Sequence, residues 1–107
     1  MPKYLLQASY TTEGLKGLLK EGGSKRRAAV EETIKGLGGK LEAFYYAFGK
    51  HDAFVIVDLP DQVSATAAAL VVNASGAAHV RTTVLITPEE VDQATKKTVH
   101  YRPPGQK

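Results

Sequence analysis

The sequence predicts an α+β fold of the ferredoxin-like type, βαββαβ, with a four-stranded antiparallel sheet and a short C-terminal helix. Three observations predict it. Strand-like stretches at 3–10, 40–48, 53–59 and 79–87 are separated by helical periodicity in the order strand, helix, strand, strand, helix, strand. Turn residues fall between the elements: Gly22-Gly23, Gly38-Gly39, Gly49 to Asp52, Pro60-Asp61 and Gly76. The stretch AFVIVDL is apolar on both of its faces, as a central strand covered from two sides would be.

Each element has its own warrant. KYLLQASY carries Tyr4, Leu5 and Leu6, which favour extended chain on both faces. Thr11-Thr12 offers a helix N-cap, Glu13 suits the first turn, and Leu15, Leu18 and Leu19 follow at helical spacing. Gly22-Gly23 interrupts that pattern. Ser24 offers a second cap, Val30, Thr33, Ile34 and Leu37 form one stripe, and Gly38-Gly39 ends the segment. These segments read as two helices or as one kinked arm.

In KLEAFYYAF, Phe44, Tyr46 and Phe48 share one predicted face and Leu41, Ala43, Tyr45 and Ala47 the other. In the next strand Phe54 and Ile56 oppose Ala53, Val55, Val57 and Leu59. Asp61 caps a helix whose stripe is Val63, Ala67, Leu70, Val71 and Ala74. Thr87-Pro88-Glu89-Glu90 has the cap, proline and carboxylate of a helix start.

At 107 residues the chain is one domain, expected over 1–97, with 98–107 an extended or mobile tail. A composition of 43% hydrophobic and 23% charged residues is too apolar for disorder. No apolar run reaches membrane-spanning length, and the apolar stretch at the N-terminus is too short for a signal peptide. A cytoplasmic location is the expectation, and the absence of cysteine excludes structural disulfides and thiolate zinc sites. The net charge of +3 is concentrated at Lys25, Arg26 and Arg27 and in the tail at Lys96, Lys97, Arg102 and Lys107. A nucleic-acid partner is not expected, because no continuous basic face with interleaved aromatics is present.

Two helices cover one face of a four-stranded sheet, and the other face then normally reads polar. Here it does not. A second copy packing sheet to sheet would cover it, so a homodimer with a barrel-like core is expected, with further assembly beyond the dimer left open. The competing arrangement folds the C-terminal helix and tail over that face.

The stretches KYLLQASYTTEGLKGL, GLGGKLEAFYYAFGKHDAFVIVDLPD and VRTTVLIT resemble the GYD-domain family, over about residues 1–95. Its signature is a glycine, a tyrosine and an aspartate ahead of the third strand. Gly49 and Asp52 match, and His51 stands at the tyrosine position. The resemblance implies membership of the dimeric α+β barrel group and dimerisation. Related barrels include monooxygenases, dismutating haem enzymes, isomerases and ligand-sensing domains, so the resemblance implies little chemistry.

Candidate sites follow from residue type. His51 and Asp52 read as a general base with an orienting carboxylate, or as a tight turn in which Asp52 bonds nearby amides. Adjacent side chains in extended chain diverge, which works against a direct dyad. Tyr10, Tyr45 and Tyr46 offer hydroxyls to a ligand or packing with one polar handle. Lys25, Arg26 and Arg27 would face the positive end of a helix beginning at Ser24. Either that helix runs on from Thr12, or an anion binds there, against the plainer reading of a solvated charged face, which charge runs usually are.

Arg81, sharing parity with His79, needs an acidic partner such as Glu42 or Asp58, or a ligand. The separations of His51, His79 and His100 match no metal-ligand spacing, and the glycine stretches match no nucleotide loop, so neither metal nor cofactor is expected.

The functional expectation is a homodimer that binds a small apolar or aromatic molecule between sheet and helices. Tyr10, Tyr46, Phe48, His51 and Arg81 are the expected lining. The alternatives are a cofactor-free oxygenase or isomerase with His51 as base, and a structural or regulatory assembly subunit.

Overall fold

The structure is a computed structural model and describes residues 1–106; the last basic residue of the tail, Lys107, lies outside them. The elements are β1 (Lys3–Tyr10), α1 (Thr12–Glu21), α2 (Gly23–Gly36), β2 (Lys40–Tyr46), β3 (Ala53–Asp58), α3 (Gln62–Ala74), β4 (Ala78–Leu85) and α4 (Pro88–Thr95). The sheet order is β2-β3-β1-β4 with every pair antiparallel. This is the expected ferredoxin-like α+β arrangement.

The register sorts side chains onto two faces, because strand partners share a face. One face carries the cross-strand rows Val84-Tyr4-Val57-Leu41, Thr82-Leu6-Val55-Phe44 and Val80-Ala8-Ala53-Tyr46, and α2 and α3 pack on it. The core lies there: Tyr4, Ile34, Val55, Val57, Leu59 and Ala65 are buried, with Leu6, Val30, Leu37, Leu41 and Phe44 against them.

The other face carries Leu85-Lys3-Asp58-Lys40, Thr83-Leu5-Ile56-Ala43 and Arg81-Gln7-Phe54-Tyr45. Its middle is apolar. One end is held by Lys3, whose ammonium lies 2.9 Å from Asp58 and 3.1 Å from Glu42. Hydrogen bonds to these two carboxylates raise the Lys3 pKa. Among the described residues no helix packs on this face. The α4 helix and the tail are exposed from Pro88 to Arg102. They account for a long axis of 61 Å and a radius of gyration of 17.3 Å, against about 13 Å for a compact chain of this length.

Several local expectations need correction. The N-cap of α2 is Gly22, at φ 88°, with no side-chain cap bond, so Ser24 is not a cap. The helical arm is two helices, because a left-handed residue cannot continue an α-helix. Lys25 to Arg27 therefore do crowd the start of α2, where the first turn has no acidic residue.

In β2 the register shifts between Leu41 and Ala43, a bulge at Glu42. One extra residue moves Leu41 onto the face of Phe44, which strict alternation denies it. Phe48 lies beyond the strand at φ 55°.

In α3 the inward stripe is Ala65, Ala68, Ala69 and Val72. The expected stripe is turned out, with Val63, Leu70 and Val71 at 77%, 65% and 70% exposure. Small side chains let the helix approach the sheet closely, and α3 is apolar on both sides, so periodicity alone does not choose between them. The caps do match: Thr11 begins α1, Asp61 accepts from Ser64 at 2.8 Å, and Thr87 with Glu90 forms a full capping box.

Candidate functional site

Two groups of polar side chains stand out, one on each face of the sheet. The first surrounds the junction of α1 and α2. Tyr10 ends β1 and Tyr46 ends β2, both directed to the helix side. The Tyr46 hydroxyl donates to the Gly23 carbonyl oxygen at 3.1 Å, and its ring packs 5.0 Å from Phe44 and stacks 5.7 Å from Phe48. Burial pushes the Tyr10 phenol up to about 12, and the neighbouring Tyr46 phenol adds to the rise. Burial likewise raises Tyr46. Both phenols are therefore neutral hydrogen-bond donors at working pH. The Arg26 guanidinium stands beside them and pulls both values the other way. It faces Glu21 at 3.8 Å, so it is near a carboxylate without a hydrogen bond to it.

The second group lies at one end of the uncovered face. His51 Nδ1 is 3.3 Å from Ser9 Oγ, and its ring meets Phe54 edge-on with centroids 6.0 Å apart. His79 is the register partner of Ser9, and Arg81 that of Gln7, so both are on this face too. Neither Glu42 nor Asp58 is paired with Arg81, because Lys3 holds both. Asp52 points elsewhere. Its Oδ2 accepts from the Tyr10 amide at 2.8 Å, while its own amide donates to Ala8 at 2.8 Å and its carbonyl accepts from Ala47 at 3.0 Å. His51 and Asp52 thus diverge, and the carboxylate does not orient the imidazole.

The five side chains expected to line one pocket are divided. Tyr10, Tyr46 and Phe48 are on the helix side, His51 and Arg81 on the opposite face. Lys25, Arg26 and Arg27 separate as well: Lys25 is exposed, Arg27 borders an outer groove beside β2, and Arg26 turns inward.

Arg26 turns toward a feature the sequence did not announce. A cleft of about 80 Å³ runs between α2, α3 and the sheet, lined by Leu6, Arg26, Val30, Thr33, Ile34, Ala68, Ala69, Val72 and Val80. The run of alanines in α3 was the available signal, since small inward residues leave space where larger ones would fill it. Ser9 was missed beside His51 for another reason: it sits far away in sequence, and only the register joins them.

The family model of the GYD domain matches residues 4–95, nearly the whole folded part. The chain belongs to the GYD domain family. No curated protein and no solved structure matches it. In this GYD domain Asp52 is a backbone staple between β1 and the β2–β3 connection, and His51 is the neighbour that reaches the open face. No helix among the described residues is long and apolar enough to cross a membrane.

Proposed function

We propose that this GYD domain is a homodimer, paired sheet to sheet as a dimeric α+β barrel, that binds a small apolar or aromatic molecule in the helix-side cleft of each subunit. The carrying observation is the cleft itself. Seven of its nine lining residues are aliphatic, and it lies between the two helices and the sheet. The apolar middle row of the uncovered face supports the pairing.

A screen of small aromatic compounds tests the binding. A ligand at 100 times its Kd stabilises the native state by about 2.7 kcal/mol, so the melting temperature rises by several degrees. Ala69→Met fills the cleft and abolishes that rise, leaving the uncomplexed protein folded. A compound that stabilises the wild type and Ala69→Met equally binds somewhere else, and the cleft reading then fails.

A second reading has one observation in its favour, the His51–Ser9 contact on the open face. There His51 would act as base in a cofactor-free oxygenase or isomerase. His51→Ala is then expected to abolish turnover with little change in thermal stability, because its only side-chain hydrogen bond among the described residues is a 3.3 Å contact with Ser9. Unfolding of that variant would make the residue structural. The outward stripe of α3 is the feature that speaks for a role as an assembly subunit.

A further inference from the structure

We infer that the cleft takes a small carboxylic acid, its apolar body between α2 and α3 and its carboxylate on Arg26. The inference rests on the cleft reading above and specifies its ligand class. Two lining residues are polar. Thr33 is occupied, since its hydroxyl donates to the Ala29 carbonyl at 3.1 Å. Arg26 is not. Its side chain is 37% exposed, and Glu21 at 3.8 Å is its only charged partner among the described residues. That distance is too long for a hydrogen bond, so the planar fork of donors remains open.

Size and charge narrow the ligand. A cleft of about 80 Å³ holds roughly six water-sized groups at about 10–15 Å³ each. That suits a short branched chain or the edge of an aromatic ring. A guanidinium binds carboxylate and phosphate through two parallel hydrogen bonds. Glu21 beside it offsets part of its charge and would repel a dianion, which favours the singly charged carboxylate over a phosphate monoester. The first turn of α2 carries no acidic side chain to oppose the anion. The neutral phenol of Tyr10 stands near the same guanidinium and adds a donor but no negative charge, whereas the Tyr46 hydroxyl is spent on the Gly23 carbonyl.

Calorimetric titration of the full chain with benzoate and with benzyl alcohol separates this inference from the reading beneath it. Benzoate is expected to bind the wild type at least tenfold tighter than the alcohol. Arg26→Gln removes that preference by weakening benzoate far more than the alcohol, and Arg26→Lys restores part of it. Ala69→Met loses both ligands, with circular dichroism showing each variant folded. Equal binding of acid and alcohol, unaltered in Arg26→Gln, overturns the acid assignment and leaves the cleft reading standing. Benzoate binding that survives in Ala69→Met puts the acid outside the cleft and also overturns it. Failure of both ligands to bind the wild type at millimolar concentration overturns the inference and counts against the cleft reading as well.

Discussion

Ile56→Asp is expected to convert the proposed dimer into a folded monomer. Ile56 sits in the row Thr83-Leu5-Ile56-Ala43, the apolar middle of the face that no helix covers. At one end of this face Lys3 bridges Asp58 and Glu42. A carboxylate at residue 56 has no such partner. A two-fold interface is made of the same patch from both subunits, so one substitution buries two unpaired charges. Each costs several kcal/mol when water is excluded. A dimer of micromolar Kd is held by about 8 kcal/mol, so two such charges dissociate it. The core on the other face is untouched: Tyr4, Val55, Val57 and Leu59 point away from residue 56. Sedimentation velocity at about 10 μM, a concentration above such a Kd, therefore reads a dimer for the wild type and a monomer for the variant. A wild type that sediments as a stable monomer sinks the paired-barrel proposal outright.

The same rows explain what could be read from the sequence. Strand and helix order was legible because apolar spacing differs between the two and because Thr11, Asp61 and Thr87 mark helix starts through local hydrogen bonds. The doubly apolar character of AFVIVDL was equally local. Three things were not. The bulge at Glu42 reassigns Leu41 by one residue, and nothing in KLEAFYY announces where alternation slips. The α3 sequence offers a stripe of larger aliphatic residues and a stripe of alanines. The sheet takes the alanines because they permit a closer approach, a matter of tertiary spacing. The candidate site was the least legible. Tyr10 and Arg81 both belong to strands that end near one another, yet the pairings Gln7 with Arg81 and Tyr10 with Ala78 put them on opposite faces. A pocket drawn from residue type alone merges two surfaces that the register keeps apart.

Asp52→Ala is expected to lower stability by about 2 kcal/mol, a fall in melting temperature of roughly 10 °C for a domain of this size. The half-buried carboxylate accepts the Tyr10 amide at 2.8 Å, at the last residue of β1, where the ladder with β3 has already ended. Alanine leaves that amide without its acceptor. Hydrogen bonds to a charged group are worth about 1.5–3 kcal/mol, more than neutral ones, and part of the loss is the cost of the orphaned donor. Asp52→Asn keeps an acceptor oxygen in place and is expected to lose less than half as much. The backbone bonds of residue 52, to Ala8 and Ala47, survive either change, so the connection between β2 and β3 stays closed and the fold persists. Tyr10 also loses its anchor, and its phenol is next to Arg26 and Tyr46, so a weakened ligand response at the cleft accompanies the lost stability. Thermal melts of the three proteins decide between roles. If Asp52→Ala melts with the wild type and yet abolishes an activity, the carboxylate works in chemistry and the staple reading of Asp52 is wrong.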